Sequence, residues 1–117
     1  MEKTSINKII LVGRLGGKPI SRYTQQGRAS ATFSVATNEM WKDKNNKQHE
    51  HVEWHQIICW DKLADFAGQY LQKGQLVYVE GSIRSRAWKD KEGLEKKTVE
   101  IFCVKLTLLE RVAGKQQ

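Results

Sequence analysis

Four tryptophans lie among cations in this chain, and the combination suits one kind of chemistry. The rings are Trp41, Trp54, Trp60 and Trp88, and each lies in or beside strand-like sequence. Lysines follow the first and third rings closely, as Lys44 and Lys62, and arginines precede the fourth, as Arg84 and Arg86. Flat rings stack on nucleobases, while Lys and Arg pair with phosphates. The spacing therefore predicts a surface that binds a polyanion carrying flat bases.

The overall charge supports the same class of partner. The 117 residues include 20 Lys+Arg against 13 Asp+Glu, for a net charge of +7. This excess favours nucleic acid or another anionic surface. Charge alone leaves open a basic face that is merely solvated, but the clustering of the cations beside the rings disfavours that alternative.

Residue patterns typical of enzymes and metal sites are missing from the sequence. It has no Gly-x-Ser-x-Gly, P-loop or Cys-x-x-Cys motif, and its acidic residues are scattered. His49 and His51 are two residues apart in a polar segment, but no third ligand is placed beside them. We therefore expect no enzymatic activity, no metal and no cofactor.

The compartment follows from the N-terminus and the cysteines. The first residues lack the apolar stretch of a signal peptide, and no apolar run reaches the ~18 residues of a membrane span. We expect a cytoplasmic protein in which Cys59 and Cys103 are reduced core residues, not a disulfide.

Hydrophobic periodicity predicts five strands and one helix. We expect strands at residues 6–15, 29–38, 52–60, 76–88 and 98–109, with a helix at 61–73. Asp61 is the candidate N-cap, Gly74 the stop signal and Gly81 the site of a bulge or bend, and residues 42–47 are too polar to pack and read as a projecting loop.

This element order defines the fold class. Five strands with one helix between the third and fourth indicate an all-β protein, the five-stranded Greek-key barrel of the OB-fold. We assign residues 1–112 to this single domain and 113–117 to a short polar tail.

Alternation along the strands predicts which side chains share a face. Trp54 and Trp60 fall on one face of the third strand, and Ile57 and Cys59 fall on the other. The arginines of the fourth strand share a face with Trp88 in the same way. The alternative, in which the rings form the core, suits one or two of them but not all four, because the opposite faces already supply enough aliphatic residues.

Several short motifs, in one order, give the chain a family likeness over nearly all of residues 6–109. They are Ile6 to Gly16, Arg22-Tyr23, Thr37-Asn38-Glu39 leading to Trp41, Glu53-Trp54-His55, Lys62-Leu63-Ala64, Tyr70-Leu71 with Lys73-Gly74, Val77 to Gly81, and Arg84, Arg86 and Trp88. With these motifs the chain resembles the bacterial single-stranded DNA-binding protein family. The resemblance implies an OB-fold that forms a homotetramer and wraps single-stranded DNA without strict sequence choice, in DNA replication, recombination and repair.

The resemblance also implies roles for individual residues. Rings at the positions of Trp41, Trp54, Trp60 and Trp88 would stack on bases, and position 60 is often Phe in the family. Cations that would hold phosphates are Arg22, Lys44, Lys62, Lys73, Arg84 and Arg86. His55 resembles a position linked to subunit association.

Family members usually continue into a Gly/Pro/Gln-rich linker and an acidic tail that recruits replication and repair enzymes. The printed sequence ends at Gly114 to Gln117 without such a tail. We expect either a removed tail or a tail-less variant, with DNA binding independent of the choice. The family likeness also implies a bacterial, nucleoid-associated location.

Three rival functions remain at this point. One is a primosome-type or RNA-binding OB protein. Another is a small metal-dependent nuclease that uses the region of His49 and His51. The last is an assembly protein whose rings are buried between subunits.

Overall fold

The computed structural model describes residues 4–110, and its elements are six strands and one helix. In chain order they are β1 (Ile9–Leu15), β2 (Ile20–Tyr23), β3 (Ala29–Lys42), β4 (Gln48–Trp60), α1 (Lys62–Tyr70), β5 (Leu76–Lys89) and β6 (Glu95–Leu108). The predicted tail lies outside the described residues, as do residues 1–3 and 111–112 of the predicted domain.

The sheet closes on itself into a barrel of five strands. Its order is β1-β5-β6-β4-β3, and closure comes from the pairing of Arg14 with Ala36 and of Leu15 with Val35. All pairings are antiparallel except that of β4 with β6. This connectivity, with α1 between β4 and β5, confirms the predicted OB-fold.

Strand β2 was not predicted. Its four residues pair with β3 outside the closed barrel, and all four are exposed. Because none of them is buried, the strand carries no alternation of apolar and polar residues that a sequence pattern could reveal.

The core fills the inside of the barrel and the gap beneath α1. Buried apolar residues alternate with exposed ones along the strands, because successive side chains point to opposite faces. The core residues are Leu11, Leu15, Ala31, Phe33, Val35, Ile57, Cys59, Ala64, Ala67, Leu71, Val77, Val79, Ile101 and Cys103. Both cysteines are buried free thiols, as expected.

The ends of the helix differ from the prediction. Asp61 occupies the N-cap position, but its side chain makes no capping hydrogen bond because the carboxylate pairs instead with Arg28. The helix ends at Tyr70, before Gly74, which adopts φ 87° in the following turn. The helix formed within residues 4–110 is neither long nor apolar enough to cross a membrane.

The predicted loop at residues 42–47 is found to within one residue, but the strands on either side of it are longer than predicted. Strand β3 continues to Lys42 and β4 begins at Gln48, so the two form a long hairpin closed by the Asp43–Lys47 turn. We call residues 38–52 the β3–β4 arm. The arm has no buried core of its own, and the hydrogen bonds between the backbones of β3 and β4 hold its two strands together.

The bulge predicted at Gly81 is confirmed. The register of β5 against β6 shifts between Glu80 and Gly81. A Cβ atom at position 81 would collide with the carbonyl oxygen of Phe102, so only glycine allows the two backbones to approach this closely.

Candidate nucleic-acid interface

The four tryptophans lie on the outside of the barrel. Trp41, Trp54 and Trp88 expose 49%, 57% and 44% of their surface, and Trp60 is partly buried. None of them belongs to the core cluster. Trp60 points outward because strand alternation directs Ile57 and Cys59 of β4 into the interior. Trp41 and Trp88 lie on the ends of β3 and β5, where all the residues are exposed. This excludes the alternative in which all four rings form the core of the chain.

One ring and several arginines meet in a groove across three neighbouring strands. β6 lies between β4 and β5, so the outer faces of these strands form one surface. The groove has a volume of about 430 Å³. Its lining residues are Arg28, Ile58, Trp60, Arg84, Ser85, Arg86, Glu100 and Phe102. We call it the arginine groove. The structure thus brings together Trp60, Arg84 and Arg86.

The arginines of β5 are held by side chains of β6. The guanidinium of Arg84 lies 4.0 Å from the ring centroid of Phe102. Arg86 donates from Nη2 to Oε2 of Glu100 over 3.3 Å. Such contacts orient the planar guanidinium while leaving donors free, and this suits phosphate binding.

The fourth ring lies further along the same ribbon. The indole Nε1–H of Trp88 donates to Oγ1 of Thr98 over 2.8 Å. This hydrogen bond satisfies the polar edge of the indole and fixes its orientation, while the ring stays exposed. Trp88 is therefore held in one orientation, with its ring exposed, at the distal part of the β5–β6 hairpin.

A second groove surrounds Trp54. Its volume is about 320 Å³, and it is lined by Gly16, Gly17, Lys18, Ile20, Thr32, Phe33, Ser34, Trp54 and Gln56. The six-membered ring of Trp54 rests against Gly16, where a Cβ atom would collide with it. The Ser34 hydroxyl donates to Gln56 over 3.2 Å on the floor of this Trp54 groove.

Trp41 lies on the β3–β4 arm, directly opposite His49. The two rings stack with centroids 5.5 Å apart and an interplanar angle of 20°. His49 Nε2 is 2.8 Å from Oδ2 of Asp43, and this hydrogen bond, helped by the backbone N–H groups of Lys47 and Asn45, lowers the pKa of Asp43. Lys44 lies exposed in the turn at the tip of the arm.

The remaining predicted cations are more dispersed. Arg22 lies on β2 and lines a separate polar groove of about 450 Å³ between the strands and α1. Lys62 is the first residue of α1, and Lys73 lies in the turn that follows the helix. All three are exposed, but none of them lines the arginine groove or the Trp54 groove.

The histidines face different surroundings. His55 lies on the face opposite Trp54, partly buried, with its Nε2 2.9 Å from the Thr37 hydroxyl. His49 and His51 pair with single carboxylates, those of Asp43 and Glu53. Across residues 4–110, no group of three or more His, Cys, Asp or Glu side chains is arranged to hold a metal ion. The role of His55 at a subunit interface stays a prediction.

Arg28 was missed by the sequence analysis. Its guanidinium carbon lies 4.4 Å from the centroid of Trp60. The signal was present in the strand register, since Ser30 pairs with Trp60 and places Arg28 diagonally on the same face. That register becomes known only once β3 and β4 are aligned. Phe102 was missed because its contact with Arg84 depends on the pairing of β5 with β6, and Lys18 was missed because it lies in the loop between β1 and β2.

The family model and the relatives that match this chain all point to one protein family. The model of the single-strand binding protein family matches residues 6–109. A single-stranded DNA-binding protein of Neisseria meningitidis serogroup B is 49% identical over 105 residues, which cover 90% of this chain and 60% of that protein. Single-stranded DNA-binding protein 1 of Xylella fastidiosa is 44% identical over 114 residues, covering 97% and 81%. The chain thus spans about 60% of the length of the Neisseria relative.

Solved structures show the same likeness. A Plasmodium falciparum SSB complex with ssDNA superposes with a TM-score of 0.86 at 38% identity, covering 94% of this chain and all of the other. A deletion mutant of the single-stranded DNA binding protein from Thermus aquaticus gives a TM-score of 0.79 at 30% identity, covering 90% of this chain and 51% of that one.

Proposed function

Because this chain belongs to the single-strand binding protein family, we propose that it binds single-stranded DNA without strict sequence choice and protects exposed strands in DNA replication, recombination and repair. The observation that carries the proposal is the position of the tryptophans, which lie outside the barrel and beside grooves lined by cations. The Plasmodium falciparum neighbour is a complex with ssDNA, and this supports the same ligand here.

Binding would combine stacking with charge neutralisation. Trp41, Trp54, Trp60 and Trp88 are the proposed stacking rings, and each stacked base contributes about 1–3 kcal/mol. The proposed phosphate contacts are Arg22, Lys44, Lys62, Lys73, Arg84 and Arg86. Each neutralised phosphate releases counterions, so affinity falls as salt rises. Duplex bases already stack on one another, which accounts for the preference for single strands.

The mechanism is passive. The protein covers a strand and removes it from the pool that can pair again or be cut, and the proposed role involves no catalytic step or cofactor. We place this activity in the bacterial cytoplasm at the nucleoid, where such strands arise. In the family, enzymes of replication and repair are recruited through an acidic tail, and we propose that residues 4–110 bind the strand without it.

Assembly into a homotetramer is part of the proposal. Ile10 and Val12 are both exposed on the outer face of β1, and a second subunit that covers them would remove apolar surface from water. The partly buried His55 is the proposed interface residue, since its ring points away from the Trp54 face.

A competition experiment tests the ligand class. A fluorescein-labelled dT oligonucleotide is bound to the protein, and unlabelled single-stranded DNA, duplex DNA and RNA of matched length are added as competitors. We expect displacement by single-stranded DNA at far lower concentration than by the other two. Stronger displacement by RNA would favour an RNA-binding OB protein, and strand cleavage on addition of Mg²⁺ or Mn²⁺ would favour a nuclease.

A further inference from the structure

Arg28, Trp60 and Asp61 form a cluster at one end of the arginine groove. Arg28 lies over the indole ring, with its guanidinium carbon 4.4 Å from the centroid. The same guanidinium binds the carboxylate of Asp61 through both its oxygens, from Nε at 3.1 and 3.3 Å and from Nη2 at 3.2 Å. The ring and the carboxylate together hold the guanidinium in one place.

The backbone of Asp61 is strained and tightly fixed. Its φ of 57° and ψ of −123° fall in a region that glycine adopts freely and that a residue with a Cβ atom adopts at a cost. Its N–H donates to the carbonyl of Ala29 over 2.9 Å, and its carbonyl accepts from the N–H of Asp65 over 3.0 Å. The carboxylate is thus anchored beside Arg28 by contacts to both β3 and α1.

The ion pair itself has little to do with the stability of the fold. The side chains of Arg28 and Asp61 are 51% and 58% exposed, and an ion pair this open to water adds little to folding. Its consequence is local, because it occupies the donors of an arginine that lines the groove. Exposure also means that another anion can reach the guanidinium and replace the carboxylate.

The charges of the groove show which anion fits. Three arginines line it, Arg28, Arg84 and Arg86, and one carboxylate, Glu100, lines it with them. Arg86 pairs with Glu100, and Arg84 lies over Phe102. A phosphodiester offers the two-oxygen geometry that a guanidinium prefers, and a strand passing Trp60 would bring one within reach of Arg28.

We propose that Arg28 is a further DNA-contact residue and that Asp61 restrains it. When a strand binds, a phosphate replaces the Asp61 carboxylate on the guanidinium, which stays stacked on Trp60. This inference rests on the proposed function of the arginine groove. Asp61 then lowers the affinity, since its carboxylate competes with the phosphate for the donors of Arg28.

Substituting both partners separates this exchange from a simple charge effect. The affinity for a fluorescein-labelled dT oligonucleotide is measured by anisotropy at several salt concentrations for Asp61→Asn, Arg28→Gln, the double variant and the unaltered protein. We expect Asp61→Asn to tighten binding by roughly two- to fivefold, the range that an exposed ion pair supplies. The slope of log K against log salt should stay unchanged in Asp61→Asn, because Arg28 contacts the same phosphate in both proteins. Arg28→Gln should make that slope shallower by about 0.7, one phosphate on a single strand.

Coupling between the two substitutions is the decisive readout. Arg28→Gln should weaken binding more in the Asp61→Asn background than in the unaltered protein, because only there does Arg28 lack a competing partner. Equal losses in both backgrounds, or an unchanged affinity for Asp61→Asn, would overturn the inference while leaving the proposed function intact. If the unaltered protein fails to bind dT at low salt, the proposed function fails and the inference falls with it.

Two further variants control for charge and folding. Lys97→Gln removes one cation from β6, where Lys97 points to the face away from Lys96 and Thr98. In the Asp61→Asn background, it should change the affinity for the oligonucleotide less than Arg28→Gln does. Asp61→Gly suits the backbone conformation at this position, so it tests the loss of the carboxylate even if the asparagine variant folds poorly. Tighter binding by Asp61→Gly supports the restraint, and unchanged binding contradicts it.

Discussion

Trp54 keeps 57% of its surface exposed, although indole is among the side chains that gain most from burial. The cause is the alternation along β4, which directs Ile57 and Cys59 into the barrel and leaves even-numbered residues outside. On the outer face the ring meets Gly16, whose missing side chain leaves room for it. A large flat surface is thus held in place and left open to solvent.

Replacing this ring tests whether it stacks. We expect Trp54→Ala to weaken binding of a dT oligonucleotide by about 5- to 150-fold, the equivalent of one lost stack of ~1–3 kcal/mol. Trp54→Phe should retain most of the affinity, because it keeps an aromatic face. Binding is measured by anisotropy and folding by circular dichroism. Loss of the folded spectrum in Trp54→Ala would show that the ring supports the core instead.

A pH-dependent contact lies on the β3–β4 arm. The hydrogen bond from His49 holds the pKa of Asp43 below its ordinary value of 3.8. Because the folded-state pKa is the lower one, the stabilisation is present above the ordinary pKa and is lost as pH falls through the folded value. NMR titration of the Asp43 carboxyl should show the lowered pKa, and His49→Ala should raise it. An identical titration in both proteins would contradict the contact.

At the scale of elements, the barrel depends on one glycine where β5 bends. Gly81 allows β5 to approach β6 at the register shift, and a Cβ atom there would meet backbone, which cannot move aside cheaply. We expect Gly81→Ala to lower the free energy of unfolding by about 1–3 kcal/mol, as overpacking does. Urea unfolding measures the change.

Gly17→Ala is the matched control for this substitution. A Cβ atom at position 17 meets nothing within 4 Å, so we expect a near-neutral effect. Equal destabilisation by the two substitutions would show that the loss at position 81 comes from something other than the close approach of β5 to β6.

Most of the strands and the helix could be predicted from the sequence, whereas contacts between strands could not. Strict periodicity located the five barrel strands, the helix and the outward position of Trp54 and Trp60. The arginine groove could be anticipated only in part, because the contact of Arg28 with Trp60 depends on the register between two strands. The capping hydrogen bond expected of Asp61 is absent for a related reason. Its carboxylate binds the guanidinium of Arg28, and this charged donor is a stronger partner than the N–H groups of the helix.

At the scale of the whole molecule, the proposed tetramer predicts the mass of the particle in solution. Sedimentation equilibrium should give four times the 13.5 kDa chain mass. His55→Glu should favour dissociation, because it places a charge at a partly buried position beside the Thr37 hydroxyl. His51→Glu, on the exposed part of the same strand, is the control and should remain tetrameric. A monomer mass for the unaltered protein at all concentrations would contradict the assembly.

The net charge of +7 and the four outer rings act together only if one strand contacts both. Tryptophan fluorescence during titration with poly-dT, repeated at several salt concentrations, tests this most directly. We predict strong, stoichiometric quenching that weakens as salt rises, because stacked bases quench the indoles and counterion release drives the contacts of the cations. An absence of quenching at low salt would contradict single-strand binding by this surface.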